Sequence, residues 1–228
     1  MTLSSSSPSR RVASDQLGPH PDLDARVERH RRHAFRRPPH TASVAAFERA
    51  GAWLAAQGAA PLILDIGCGT GDSSRALAHA HPDAAVVGID KSAARLIRRR
   101  RTNSPDNLLL LQANALDVLP RARAAGWRCD RVALYYPNPW PKAAQLNKRW
   151  HGSPVFADLI ALGGQLELRC NWRTYADEMQ LALRAFGVAS EVGTLAVATP
   201  ISLFEAKYAA SGHTLWRLTA NLGAARLD

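Results

Sequence analysis

Short apolar runs alternate along the chain with segments whose apolar residues recur every three or four positions. Five such runs predict buried strands: PLILDIG at 61–67, AAVVGID at 84–90, NLLLLQAN at 107–114, CDRVALYYP at 129–137 and QLELRCN at 165–171. Amphipathic spacing predicts helices between them, and also a helix before them that begins at Thr41 and ends at Gly58. FEAKYAASGHTLWRLTA predicts a last helical turn and a last strand. This alternation indicates an α/β, doubly wound, Rossmann-like domain with a mainly parallel sheet covered on both faces.

The beginning of the chain differs from the rest in composition. Residues 1–22 are rich in Ser and Pro, which favours disorder, and RVERHRRHAFRR at 26–37 holds six arginines and two histidines. We therefore expect residues 1–40 to be disordered or to form a mobile basic arm, with a helix or an ordered arm as the alternative for the basic stretch from Arg26, and residues 41–228 to form the domain. In the predicted helix DSSRALAHAH, Asp72 or Ser73 is the expected N-cap.

The charge balance indicates a polyanionic partner. Lys and Arg number 29 against 19 Asp and Glu, and RLIRRRR at 95–101 adds a second cluster with five arginines. Counterion release and electrostatic steering favour nucleic acid over a membrane surface as the partner. The alternative explanation of the charge is that the source organism has a generally basic, Arg-rich proteome. No apolar run is long enough to cross a membrane, and the first residues lack the apolar core of a secretory signal.

The cysteines argue against a disulfide framework and against a metal. Cys68, Cys129 and Cys170 are odd in number and have no close spacing, which fits a reduced cytoplasm. The histidines are scattered as well, so we expect no metal site and a cytoplasmic protein.

The motif LDIGCGTG follows the first predicted strand and opens a helix. Gly67, Gly69 and Gly71 permit a tight turn and let a ligand approach the backbone at the ligand-binding edge of the sheet. The spacing is GxGxG, with Asp65 two residues before the first glycine, where an acid would sit badly against a pyrophosphate. It resembles the class I methyltransferase signature for S-adenosylmethionine, whose ammonium group favours a nearby carboxylate. A nicotinamide dinucleotide site and a purely structural glycine turn are the alternatives.

Two further residues complete the expected cofactor site. Asp90 ends the second strand, where a carboxylate can accept hydrogen bonds from both ribose hydroxyls. In the methyltransferase pattern the residue after the third strand meets the adenine, and here Asn114 can offer an amide.

The fourth strand ends in YYPNPWPK, at 135–142, whose prolines hold a rigid turn. In a methyltransferase this turn faces the transferred methyl group, so Asn138 is the candidate catalytic residue. Tyr135, Tyr136 and Trp140 can stack on a base or pack in the core, and Lys142 can hold a phosphate.

Downstream, basic residues alternate with aromatic ones. In QLNKRWHGSP, Lys148 and Arg149 suit RNA contact, and the alternative is a solvated loop. Asn171 follows the fifth strand and therefore faces the site, or else it caps the next helix.

The chain resembles the bacterial tRNA (guanine-N7)-methyltransferase family over about 61–218. The motifs that carry the resemblance are, in order, LDIGCGTG, GID, NALDVL, YPNPWPK, NKRW, GGQLELRCNWRTYADEM and TPISLFEAKYAASGHTLWRL. The resemblance implies S-adenosylmethionine as cofactor, tRNA as partner, and methylation of guanine N7 in the variable loop. It places cofactor contacts at Asp65, Asp90 and Asn114. The catalytic acid of the family corresponds to the position of Asn138. It places substrate contacts at Lys142, Asn171, Ser202, Leu203, Phe204 and Glu205.

The chain departs from that family at several positions. The family usually shows Asp where this chain has Asn114, Asn138 and Asn171, and a basic residue where it has Leu203. Methylating N7 needs no general base, but it creates a cationic ring that a carboxylate stabilises better than an amide does.

Two other functions stay open at this point. PNPW is similar to the Asn-Pro-Pro-aromatic turn of amino-N-methyltransferases, which act on an exocyclic base amine or an amide. A catalytically weak RNA-binding paralogue would also fit the three Asn residues. In each case we expect a monomer or a small homo-oligomer.

Overall fold

A computed structural model describes residues 8–98 and 104–227 of the chain. The α-helices of this part are α1 (Leu23–Arg32), α2 (Thr41–Ala56), α3 (Asp72–Ala80), α4 (Ala93–Ile97), α5 (Ala115–Ala124), α6 (Phe156–Ala161), α7 (Arg173–Arg184) and α8 (Leu203–Ala210). The strands are β1 (Leu62–Ile66), β2 (Ala85–Asp90), β3 (Leu108–Gln112), β4 (Arg131–Tyr135), β5 (Gln165–Cys170), β6 (Ser190–Thr194) and β7 (Trp216–Asn221).

The strands form one seven-stranded sheet in the order β3-β2-β1-β4-β5-β7-β6. The first five strands of that order are parallel, whereas β7 runs antiparallel to both β5 and β6. β1 and β4 are neighbours although two strands separate them in the chain, so the strand order reverses between them. Ligands of doubly wound folds bind at such a switch point, outside the carboxyl ends of the strands.

Residues of β1, β2, β3 and β4 enter two hydrophobic layers, one on each face of the sheet. Leu64 and Ile66 of β1 pack in the larger layer, which α1, α2, α5, α6 and α7 cover. Ile63 points to the smaller layer, which contains α3 residues. Because side chains alternate along a strand, Asp65 also points toward α3. The predicted fold class, α/β with a mainly parallel sheet, is confirmed.

The basic stretch before the domain contains α1, which packs against the domain, so this part of the chain forms a helix and not a mobile arm. Leu23 and Val27, one helical turn apart, are each 2% exposed and belong to the larger core layer. Burying two such side chains stabilises α1 on the domain by about 3–6 kcal/mol. Residues 1–7 lie outside the described part, as do Arg99, Arg100 and Arg101 of the second arginine cluster.

One local prediction is wrong, and one strand was not predicted. The N-cap of α3 is Gly71, in a left-handed conformation at φ 78°, whereas Asp72 is already the first helical residue. Ser73 does not cap the helix because its hydroxyl donates to Asp65. The sequence analysis also missed β6, whose residues SEVGT are mostly polar and half-buried or exposed. An edge strand with one pairing partner needs little apolar sequence.

Candidate active site

The glycine loop between β1 and α3 presents bare backbone at the carboxyl end of the sheet. Gly67 and Gly69 have φ angles of 80° and 61°, a left-handed conformation that favours glycine. A Cβ built at either position would meet no atom within 4 Å. The backbone N–H groups of Gly67 and Cys68 both donate to the carbonyl of Ile89, at 2.7 and 3.0 Å. The loop is therefore tied to β2 and leaves room for a ligand against its backbone.

Asp65 supplies a buried carboxylate under this loop. Its Oδ2 accepts hydrogen bonds from the hydroxyls of Ser73 at 2.6 Å and Ser74 at 2.7 Å. Its Oδ1 is buried without a partner in the described part of the chain. Burial raises the pKa of Asp65 to about 6, against the lowering effect of the two hydroxyl groups. An unsatisfied buried carboxylate oxygen fits a cationic ligand group, because such a group would complete its hydrogen bonding.

Gly88 on β2 makes the arrangement around Asp65 possible. A Cβ at Gly88 would lie 2.3 Å from the hydroxyl oxygen of Ser74. Ser74 can approach the sheet, and so hold Asp65, only because this strand position carries no side chain.

Asp90, at the end of β2, holds the glycine loop from its other side. Its Oδ2 accepts from the Gly69 N–H at 2.9 Å, and its Oδ1 accepts from the Ser92 N–H at 2.7 Å. Each carboxylate oxygen retains a second lone pair, so Asp90 can still accept bonds from ribose hydroxyls.

Asn114 follows β3 and is the N-cap of α5. Its side-chain oxygen accepts from the Leu116 N–H at 3.1 Å, and its own backbone N–H donates to the Ser43 hydroxyl at 3.1 Å. Its amide NH2 group remains as the donor for a ligand, which suits a base.

The turn after β4 has an unusual backbone. Tyr136 and Trp140 lie in the left-handed region, at φ 51° and 46°, and they flank the exposed Asn138. Such residues persist only where surrounding contacts hold them. Tyr135 and Tyr136 are buried, which assigns both to the core and not to base stacking.

The lysines predicted to contact RNA lie on the surface beyond this turn. Lys142 and Lys148 are exposed, and the Lys148 Nζ lies 4.6 Å from the centroid of the Trp140 ring. Arg149 differs, because its side chain is 0% exposed and forms an ion pair with the equally buried Glu178 of α7. A guanidinium in that position has no surface to offer RNA, so its predicted role as a direct RNA contact is wrong.

Asn171, at the end of β5, is not the cap of α7, which is Trp172. Its Nδ2 donates to Nδ1 of His213 at 3.1 Å, and the other ring nitrogen of His213 bonds to the backbone carbonyl of Ser9 at 3.0 Å. We assign the proton of this imidazole to Nε2, since an amide NH2 group can only donate.

The four residues predicted at the start of α8 divide into two kinds. Ser202 caps the helix by accepting from the Glu205 N–H at 3.2 Å, and Leu203 and Phe204 are 49% and 44% exposed. Glu205 is fully buried, where it accepts from the Tyr136 hydroxyl at 2.8 Å and from Arg169 at 3.0 Å. Its carboxylate therefore anchors the turn after β4 and cannot face a substrate.

The structure thus brings the predicted cofactor residues to the ends of β1, β2 and β3. Asn138, Asn171 and the first turn of α8 lie at the same edge of the sheet, beyond β4, β5 and the chain leading to β7. Sequence reasoning missed Ser73, Ser74 and Glu178. The serine pair after Asp72 was the one available signal, and of the two only Ser73 was considered, as the helix cap with Asp72 as the alternative.

Neither a metal cluster nor a membrane helix occurs in residues 8–98 and 104–227. No group of three or more His, Cys, Asp and Glu side chains is arranged there to hold a metal ion. No helix in that part is long and apolar enough to span a bilayer.

Comparison with known proteins assigns the family. A family model described as "Putative methyltransferase" matches residues 59–218. The tRNA (guanine-N(7)-)-methyltransferase of Saccharophagus degradans is 34% identical over 170 residues, which cover 69% of this chain and 73% of that protein. The enzyme of the same name from Anaeromyxobacter dehalogenans is 35% identical over 168 residues, covering 69% and 83%.

Solved structures share the fold at low sequence identity. An antibiotic-related methyltransferase has a TM-score of 0.58 and 15% identity, covering 77% of this chain and 94% of its own. The 16S rRNA methyltransferase KamB has a TM-score of 0.56 and 18% identity, covering 71% and 87%. With the glycine loop, the paired acids and the sequence matches together, the chain belongs to the tRNA (guanine-N(7)-)-methyltransferase family.

Proposed function

We propose that this chain transfers the methyl group of S-adenosylmethionine to N7 of a guanine in the variable loop of tRNA. The observation that carries this proposal is the adjacency of β1 and β4. β1 ends in the glycine loop, and β4 ends in the turn that presents Asn138. A cofactor on one loop and a base on the other would meet at one edge of the sheet.

The cofactor contacts follow from the donors and acceptors at that edge. The unpartnered Oδ1 of Asp65 suits the methionyl ammonium, Asp90 suits the ribose hydroxyls, and the amide of Asn114 suits the adenine. S-adenosylmethionine supplies a methyl group on a positively charged sulfonium, so the donor brings both the carbon and the charge.

Guanine N7 attacks with a lone pair and loses no proton. As the bond from N7 to carbon forms and the sulfur–carbon bond breaks, positive charge moves to the purine ring. Asn138 is exposed, with its side-chain oxygen 3.4 Å from the Trp140 N–H. Its amide dipole can hold the guanine edge and stabilise the cationic ring, less strongly than a carboxylate would.

The tRNA would be held by surface charge next to this edge. The chain carries a net charge of +10, and Lys142 and Lys148 lie exposed on the segment after the turn. The exposed Phe204 adds a ring on which a base can stack. We place this activity in the cytoplasm, carried out by a monomer or a small homo-oligomer, and light scattering of the purified protein would measure its mass.

The direct test is to incubate the protein with tRNA and methyl-labelled S-adenosylmethionine, then digest the RNA and identify the labelled nucleoside and its position. We expect 7-methylguanosine from the variable loop. Label on an exocyclic amine would instead support the amino-N-methyltransferase alternative. Absence of S-adenosylmethionine binding in calorimetry would support the RNA-binding paralogue and refute the proposed activity.

A further inference from the structure

A buried arginine that follows the Asn138 turn in the chain holds the turn by hydrogen bonds to its backbone carbonyls. The carbonyl oxygen of Trp140 accepts from Arg149 twice, from Nε at 3.2 Å and from Nη2 at 3.0 Å, and Nη2 also lies 3.4 Å from the carbonyl of Lys142. Trp140 is one of the two left-handed residues that flank Asn138. Arg149 therefore stabilises the left-handed backbone conformation of Trp140, which the chain would otherwise leave.

Arg149 is fixed in turn by Glu178. Its Nη1 donates to both carboxylate oxygens of Glu178, at 2.7 and 2.5 Å, and its guanidinium lies 4.9 Å from the Trp172 ring centroid. His151 bonds the same carboxylate through Nε2 at 2.8 Å. A buried carboxylate that accepts several charged or polar donors is held in one geometry.

The segment before α1 completes this cluster. Gln16 joins both members of the ion pair, since its Oε1 accepts from Arg149 Nη2 at 2.9 Å and its Nε2 donates to Glu178 at 2.7 Å. The His20 N–H donates to Glu178 as well, at 2.9 Å. Two residues before Gln16, the Ser14 hydroxyl donates to the Pro141 carbonyl at 2.6 Å, inside the turn itself.

We infer that Gln16 and Ser14 are positioning residues for methyl transfer, which hold the Asn138 turn through Arg149 and through Pro141. This inference rests on the proposed function, because the turn matters only if it presents Asn138 to a substrate. The segment around Gln16 thus acts on the reacting edge without touching the cofactor residues Asp65 and Asp90.

The test compares Gln16→Leu with a matched control, Gln57→Leu. Both glutamines are half-buried, and Gln57 lies at the C-cap of α2, away from the turn. Leucine keeps most of the volume and removes the side chain's bonds to Arg149, to Glu178 and to the Gly18 carbonyl. In Gln16→Leu we expect kcat to fall roughly tenfold, the Kd for S-adenosylmethionine to change less than about twofold, and amide exchange across 138–149 to quicken. Such a fall corresponds to about 1.4 kcal/mol. The control should change none of these.

Ser14→Ala provides a second, smaller perturbation, because it removes the bond to Pro141 and the acceptor of the Gln16 N–H, and leaves the side-chain bonds of Gln16 to Arg149 and Glu178 available. We expect the same pattern with a smaller fall in kcat. Equal losses in kcat and cofactor affinity would show general destabilisation and overturn the inference. So would faster exchange with an unchanged kcat, or no change in either.

Failure of the proposed function can be distinguished from failure of this inference. A wild-type protein that methylates no tRNA would refute the function, whereas hydrogen exchange of 138–149 in the two variants would still decide whether Gln16 and Ser14 hold the turn.

Discussion

If Asp65 binds the cofactor ammonium as proposed, the affinity for S-adenosylmethionine should depend on pH through this carboxyl. Its carboxylate is 1% exposed, and burial raises its pKa from 3.8 to about 6. If the unpartnered oxygen receives the cofactor ammonium, only the ionised form binds well. Between pH 7 and pH 5 the ionised fraction falls from roughly nine tenths to roughly one tenth, so the Kd for S-adenosylmethionine should rise about tenfold.

The same shift predicts how the cofactor-free protein responds to pH. The folded pKa lies above the unfolded one, so ionised Asp65 opposes folding. This cost is absent below about pH 4 and complete above about pH 6, and it is on the order of 3 kcal/mol. A bound ammonium would offset that cost, and cofactor binding near pH 6 should release about half a proton per site, because roughly half of the Asp65 carboxyls are protonated at that pH.

Calorimetric titration at pH 5, 6, 7 and 8, in two buffers of different ionisation enthalpy, measures both the Kd and the released proton. Asp65→Asn should bind more weakly at pH 8 and lose the pH dependence. Asp83→Asn, an exposed acid in the turn before β2, should behave like the wild type. A wild-type Kd that stays constant from pH 8 to pH 5, or an Asp65→Asn protein with the original dependence, would refute the assignment.

Three further predictions follow from other parts of the structure. Asn138→Asp should raise kcat or leave it intact, since a carboxylate stabilises the cationic ring better, and a collapse in single-turnover assays would show that the amide is required. Glu178→Gln should lower the free energy of unfolding by about 3–5 kcal/mol in urea titrations, because it leaves Arg149 buried without its counter-charge; a loss below about 1 kcal/mol would contradict this. Neutralising the exposed Arg29 and Arg36 together should reduce the slope of log K for tRNA against log salt by up to about 2, and an unchanged slope would exclude both as phosphate contacts.

The acid limit of stability should also reflect Glu178. Burial alone would raise the pKa of this carboxyl, but His151, Arg149 and Gln16 lower it to about 2. Because the folded pKa lies below the unfolded value, the stabilisation is present above about pH 4.5 and is lost as the pH falls toward 2. It amounts to on the order of 3 kcal/mol. Urea titrations at pH 5 and pH 3 should show about 2 kcal/mol of this loss in the wild type and a smaller loss in Glu178→Gln.

The parts of the fold that could be predicted are those encoded by local pattern. β1, β2 and β4 are nearly continuous apolar runs, as is typical of strands buried on both faces, and β5 alternates apolar with polar residues before Asn171. The glycine loop and its acids follow from spacing along the chain. These signals need no knowledge of distant contacts.

The missed features all depend on pairing across the fold. Arg149 looks like an RNA contact in sequence because its partner Glu178 is 29 residues away. The arginine-rich stretch that contains α1 left the choice between a mobile arm and a helix open, because Leu23 and Val27 are buried only when α7 and α6 are in place. Ser73 was assigned as a cap because its local position suits one, whereas Asp65 competes for its hydroxyl from another element.

The two left-handed residues around Asn138 limit how this turn can be reused. Tyr136 is anchored by Glu205 on α8, and the Trp140 carbonyl is anchored by Arg149. Grafting PNPW onto another scaffold would transfer the four residues without either anchor, and the loop would relax to a different conformation. A working transplant must carry both anchors and the elements that bury them, so the unit of engineering is half of the domain and not a tetrapeptide.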